Sequence, residues 1–357
     1  MSFINGHHPH LISYHALFVT KKGEGDQCPE SMNVLSAPYN GLSVEEKKIK
    51  HFEELKAYDS AITVKEEYDL HIVMDLMRGD LHFFINVIKD PLRQKSIRIP
   101  DNNFLVTAAC VFMFQLAFAL DFLHRCDIVH RDIKPDNVLL KLDLNNAYSS
   151  VAVLADLGLA RDTVESTTFY ICTRYYRPPE VVTNCIADQP KIDIWSVGCV
   201  LYEVATCQTL FNLDSALNSQ GTWDGKRASG QLEVILDIVG CPPKDEVEKY
   251  MPEGNAKLYL LRSDCRASQV RNLLNKKWKL PCSAEVRELW TDLMLQCLEF
   301  FPQKRPSAKE VCQHGLFRHF NMLYGDNIPL FETKKYVSTY AEDRLDYALK
   351  SQTMGRC

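Results

Sequence analysis

The sequence predicts an α+β fold in two parts, a small strand-bearing front and a larger, mainly helical remainder. Three observations predict it. Ser13 to Val19, Ala61-Ile62-Thr63-Val64 and Leu70-His71-Ile72-Val73-Met74 are short runs rich in the apolar, aromatic and β-branched residues that strands favour. Phe104 to His124 is apolar nearly all round and Ile192 to Leu201 mostly so, which marks buried helices. The length, 357 residues, suits about two domains.

Composition narrows the function classes. Hydrophobic residues make up 46% and charged residues 24%, enough apolar material for a large core. The formal net charge of −5 requires no basic face and argues against nucleic acid as a main partner. The 13 cysteines are scattered, with no Cys-x-x-Cys pair to suggest zinc, so reduced thiols in the cytoplasm or nucleus are expected. The first 20 residues carry four histidines and no clean apolar run, so no signal peptide is expected. No run approaches ~18 apolar residues, so no membrane span is expected either. Cys357 is the final residue, and no prenylation box is expected there.

The chemistry concentrates in His130-Arg131-Asp132-Ile133-Lys134-Pro135-Asp136-Asn137. Asp156-Leu157-Gly158 follows 24 positions after Asp132 (156 − 132), and Pro178-Pro179-Glu180 ends 24 after Asp156 (180 − 156). Phosphoryl transfer to a hydroxyl needs a carboxylate to orient and deprotonate that hydroxyl. It also needs oxygen ligands for Mg²⁺ and positive charge on the moving phosphoryl group. Asp132 fits the base, and Lys134, two positions on, can reach the same phosphate. Asn137 and Asp156 are hard oxygen donors suited to Mg²⁺. The three strings in this order resemble the catalytic core of eukaryotic protein kinases, within the cyclin-dependent and mitogen-activated group. The resemblance implies the two-lobed protein kinase fold. An N-terminal lobe would cover 1–77, a catalytic lobe 78–320 and a C-terminal extension 321–357.

His8-Pro9-His10-Leu11-Ile12 resembles the His-Pro-Asn-Ile-Val string that follows the regulatory helix of a kinase small lobe, with Ser13 to Val19 as the next strand. That alignment puts the glycine loop, the phosphate lysine and its helix glutamate upstream of Met1, and leaves no good candidate here for the phosphate lysine. Thr20 to Asp59 reads as a polar insertion with one short helix near 43–57. Ser43 and Glu46 form a capping box there, and Ile49, Phe52 and Leu55 fall at near-helical spacing. Lys47 then reads as a solvated surface charge, and Gly23-Glu24-Gly25 as an ordinary turn. Asp75-Leu76-Met77 resembles the hinge whose backbone meets adenine. By the same alignment Met74 is the gatekeeper and Asp80 holds the ribose hydroxyls, while Met74 and Met77 also read as core packing.

Lys89 to Asn103 reads as a basic, proline-containing loop, and Lys141 to Ser150 as a polar connection. Val151 to Ala155 reads as the strand that presents Asp156, with apolar Leu157 in place of the usual phenylalanine. Thr168-Phe169-Tyr170, ahead of Thr173-Arg174-Tyr175-Tyr176-Arg177, resembles the T-x-Y activation lip of mitogen-activated protein kinases. The resemblance implies phosphorylation of Thr168, faced by Arg131 and Arg161, and of Tyr170, faced by Arg174 and Arg177. A phosphate adds roughly −2 charge and three acceptor oxygens, which order a loop when arginines face it. With Arg177 so engaged, a backbone carbonyl near the substrate site would lack a partner, favouring proline after the target residue. Thr173 matches the threonine that bonds the catalytic Asp and Lys in serine/threonine-specific kinases. By the same resemblance Asp193 supports the catalytic loop from beneath, Gln231 to Glu285 is a helical insert, and Arg305 pairs with Glu180. The tail would pack along the back of both lobes, where Tyr324-Gly325-Asp326-Asn327 offers one acid instead of the docking pair.

The resemblance thus implies a proline-directed serine/threonine protein kinase that uses ATP and Mg²⁺. Its expected partners are protein substrates and an upstream activating kinase, with no nucleic acid and no membrane. A cytoplasmic or nuclear monomer is expected. The alternative is a pseudokinase scaffold without phosphate transfer, for want of the glycine loop and lysine.

Overall fold

The computed structural model describes residues 8–21, 68–162, 172–185, 189–211 and 226–322. The chain divides into two compact units, Met1–Leu76 and Met77–Cys357.

In the first unit the apolar runs form β1 (Tyr14–Lys21) and β2 (Tyr68–Met74), which pair antiparallel with Leu17 opposite Ile72 and Val19 opposite Leu70. The register shifts between Tyr14 and Ala16. The intervening His15 meets Asp75, its Nε2 at 2.7 Å from Oδ1. Met74 is exposed at the end of β2. The strand expected at 61–64, the helix near 43–57 and Lys47 lie outside the described residues.

The second unit opens on β3 (Gly79–Asp80) and α1 (Leu81–Lys89). Asp80 caps α1, its Oδ1 accepting from Phe83 N–H at 2.6 Å, and Leu81, Phe84, Ile85, Val87 and Ile88 are buried. The expected loop at 89–103 is corrected: α2 (Pro91–Ile97) forms inside it. No apolar stripe marks this helix, since none of its residues is buried. Its stability comes from its ends. Asp90 caps it, Pro91 presets its first turn, and Gln94 Nε2 bonds the carbonyls of Val87 and Ile88.

The core runs along α3 (Asn102–Arg125), started by Asp101, whose Oδ1 accepts from Phe104 N–H at 2.7 Å. The expectation that no segment is apolar enough to span a membrane is corrected, because α3 passes that test by length and composition. Inside the protein, 78% of its apolar window is buried, the packing of a core helix. Gln115 ties α3 to the strand behind it, donating to Ser150 O and accepting from Ala152 N–H. That strand, β6 (Val151–Leu154), pairs antiparallel with β5 (Val138–Lys141), and β5 with β3. A second small sheet joins β4 (Ile128–Val129) to β7 (Arg161–Asp162).

The short α4 (Pro179–Val182) leads to α5 (Pro190–Thr206), buried from Ile192 to Thr206. Four helices fill the expected insert: α6 (Lys226–Val239), α7 (Lys244–Tyr250), α8 (Asn255–Arg262) and α9 (Val270–Lys277). Then α10 (Ala284–Cys297) packs on α5, and α11 (Ala308–Cys312), with its Ser307–Glu310 capping box, packs on α3. The last helix among the described residues, α12 (Gly315–His319), buries Leu316 and Phe317.

Candidate active site

The loop from β4 to β5 carries the densest polar chemistry, and Asp193 on α5 holds it from below. Asp193 is fully buried. Its Oδ2 accepts from His130 N–H at 2.9 Å, and its Oδ1 accepts from Arg131 N–H at 2.8 Å. His124, at the end of α3, adds a third contact, Nε2 to Oδ2 at 2.9 Å. A buried carboxylate is tolerable only when bonded in this way. The grip also holds Arg131 at φ 68, in the left-handed region that residues other than glycine rarely adopt.

Asp132 follows directly and is itself buried. Oδ1 accepts from Thr173 Oγ1 at 2.6 Å and from Thr173 N–H at 3.1 Å. Oδ2 accepts from Lys134 Nζ at 2.7 Å and from Asn137 Nδ2 at 3.1 Å. Burial pulls the Asp132 carboxyl up, but the bonds from Lys134 and Thr173 outweigh it and hold it below its ordinary value. It is therefore an anion at neutral pH. Burial dominates at His130 and lowers the imidazole's value, so the ring is neutral. Its partners fix the tautomer: Nε2–H donates to Ala155 O at 3.0 Å while Nδ1 accepts from Asp132 N–H at 3.3 Å.

Beside this cluster, Asn137 Nδ2 also donates to Asp132 O at 2.8 Å. With the nitrogen engaged, the amide oxygen is the atom that can ligate a cation. Asp156 stands exposed at φ 59, its Oδ1 accepting from Gly158 N–H at 3.1 Å, and the next residue, Leu157, is buried. This pair of hard oxygen donors fits Mg²⁺, which keeps several waters and takes phosphate oxygens rather than an all-protein cage. No cluster of three or more His, Cys, Asp or Glu side chains suited to a metal occurs among the described residues.

A family model described as the protein kinase domain matches residues 45–317, which is 273 of the 357 residues. The chain belongs to the protein kinase domain family. The chain is 31% identical to serine/threonine kinase NLK of Caenorhabditis elegans over 250 residues, 69% of this chain and 34% of that one. It is 30% identical to mitogen-activated protein kinase 19 of Arabidopsis thaliana over 272 residues, 74% of this chain and 39% of that one. With mitogen-activated protein kinase HOG1 of Wallemia muriae the figures are 27% over 271 residues, 75% of this chain and 81% of the relative. The chain thus spans little more than a third of the length of the first two relatives. Its fold is the two-lobed kinase fold, and it is similar to mitogen-activated protein kinases.

The segment from Cys172 to Arg177 is anchored at several points. Thr173 bonds Asp132, and Gln231 Nε2 on α6 donates to Arg174 O at 2.8 Å. Tyr176 donates its hydroxyl to Glu203 Oε2 at 2.7 Å, and Ser196 Oγ bonds Tyr176 O at 2.9 Å. Burial raises both the Tyr176 phenol and the Glu203 carboxyl above their ordinary values. Cys172, buried with Val181 and Ile192, adopts φ 66. Its carbonyl then accepts from Arg177 Nη2 at 2.9 Å. In the unmodified chain, Arg177 is thus engaged by a backbone carbonyl.

Glu180 and Arg305 form the expected pair, at 2.6 and 2.8 Å, both buried. Asp80 is committed to its helix cap, and Met77 is half-buried at the start of the second unit. Thr168, Tyr170 and the Arg161 side chain lie outside the described residues. Reading the sequence missed His124 and Gln231, whose partners are 69 and 57 positions away; no local pattern marks either.

Proposed function

We propose that this chain is a serine/threonine protein kinase, transferring the γ-phosphate of ATP to protein hydroxyls and preferring proline after the target. The observation that carries the reading is the Asp132 carboxylate, gripped by Thr173, Lys134 and Asn137 with Asp156 nearby in the chain's order. Bound Mg²⁺–ATP supplies the phosphoryl group and neutralises the charge that develops on it. Asp132 accepts the hydroxyl's hydrogen bond and orients its oxygen. A carboxylate held this low is a weak base, so positioning comes first and the proton follows as the bond forms. Lys134 Nζ sits 2.7 Å from Asp132 Oδ2, where it can lend positive charge to the moving group. Transfer of label from radiolabelled ATP to a protein substrate tests the reading. Label no greater than that of the Asp132→Asn variant would leave the scaffold as the better description.

The proline preference rests on Cys172 and Arg177. With the Cys172 carbonyl turned to Arg177, an incoming peptide N–H finds no acceptor there. A buried unsatisfied N–H costs roughly 1–3 kcal/mol, which corresponds to about a 5- to 150-fold preference for proline. A peptide array with no enrichment of proline after the phosphorylated residue would contradict it.

Regulation of this site by an upstream kinase acting on Thr168 and Tyr170 belongs to the same proposal. Each phosphate would add charge-assisted bonds of ~1.5–3 kcal/mol apiece with facing arginines. Thr168→Ala with Tyr170→Phe is expected to lower activity by orders of magnitude and leave the stability of the unmodified protein nearly unchanged. A double variant as active as the phosphorylated wild type would place the switch elsewhere. Cytoplasmic or nuclear residence as a monomer, without membrane or nucleic acid, completes the proposal.

A further inference from the structure

We propose that Cys241 and Cys265 are a peroxide-responsive thiol pair that closes to an intramolecular disulfide across the helical insert. The two residues lie 24 apart (265 − 241) and bracket α7 and α8. After α6 the chain turns at Gly240, at φ +95, where a side chain would meet Ser268 N at 2.9 Å and Arg266 O at 3.0 Å. This close approach lays 238–241 against 264–269. Cys241 N–H donates to Arg266 O at 3.0 Å, and Gln269 N–H to Ile238 O at 2.8 Å. Arg266 clamps the seam to α6 through Glu233 at 2.6 Å and Asp237 at 2.9 Å.

The Cys241 thiol points into this seam and donates to Asp264 O at 3.1 Å. That oxygen belongs to the peptide bond leading into Cys265. Cys265 is exposed and Cys241 partly so. Cys110, Cys172, Cys199, Cys297 and Cys312 are buried instead, and burial pushes their thiols up, that of Cys297 to about 12. Protonated and shielded thiols react slowly, so oxidant is directed to the surface. There the Cys265 thiolate attacks one oxygen of hydrogen peroxide, the O–O bond breaks, and a sulfenic acid and hydroxide form, the hydroxide taking a proton from solvent to give the first water. The Cys241 thiol loses its proton to solvent and its sulfur attacks that of the sulfenic acid, releasing the second water as the S–S bond forms. Two thiols are oxidised and one peroxide is reduced to two waters.

The test uses the full chain, a few equivalents of peroxide, alkylation of remaining thiols and trypsin without reductant. The expected product joins Ala228–Lys244 to Ser263–Arg266 in most molecules and falls apart on reduction. It should vanish in Cys241→Ser and in Cys265→Ser, the latter a change at an exposed position. Closure should also slow proteolysis between residues 242 and 264 several-fold. Cys265 recovered as sulfinic acid, or linked to another molecule's Cys265, with no internal cross-link, overturns the proposal. No phosphate transfer enters these readouts, so they are independent of the kinase activity.

Discussion

Asp132→Asn is expected to leave the protein folded and its nucleotide binding near the wild-type value, while phosphate transfer falls by roughly 10²–10⁴-fold or more. The loop backbone is held by Asp193 through His130 and Arg131, not by Asp132, so the fold does not depend on the substituted group. The amide keeps the size of the carboxyl but cannot take the proton. It must also turn its NH₂ toward either Thr173 or Lys134, both of which are donors. Label transfer measures the loss, and nucleotide titration measures the binding. Turnover at the wild-type rate would remove Asp132 from its role. A pH series adds an independent sign. The folded Asp132 carboxyl is held below its unfolded value, so its stabilising contribution is full above the unfolded value and lost as pH falls through the folded one. The variant should therefore lose less stability than the wild type over that acid range.

The polar cluster around Asp132 was legible because its residues are local: His130, Asp132, Lys134 and Asn137 fall within eight positions, and the same loop presents them together. The long buried helices were legible for a similar reason, since α3 is apolar nearly all round and α5 mostly so. What escaped depends on contacts that no spacing encodes. The helix α2 lacks an apolar stripe and rests on caps and one glutamine. His124 meets Asp193 only because α3 and α5 are packed together. The bond from the Arg177 guanidinium to Cys172 O was not legible either. It depends on the positive φ of Cys172, which its residue type does not announce.

Arg305→Met should cost ~3–5 kcal/mol of stability, because it leaves Glu180 as a buried charge without its partner. A guanidinium has five N–H donors, and all five are used. Nε bonds Glu299 O at 2.8 Å, Nη1 bonds Glu180 Oε1 and Lys191 O, and Nη2 bonds Glu180 Oε2 and Phe300 O. Its Cζ also stands 4.9 Å from the ring centre of Trp195. Methionine restores some packing volume but no donor, so three carbonyls and a carboxylate lose a partner at once. A domain stable by ~5–15 kcal/mol would lose a large share of its margin, readable as a lower urea midpoint. Adding Glu180→Gln should recover part of the loss, since the buried charge is then gone. Activity should fall as well, but for a different reason from Asp132→Asn. Glu180 lies three residues beyond Arg177, and loosening it frees the segment whose Thr173 holds the Asp132 carboxylate. A urea midpoint for Arg305→Met within the scatter of the wild type would show that the pair does not brace this segment.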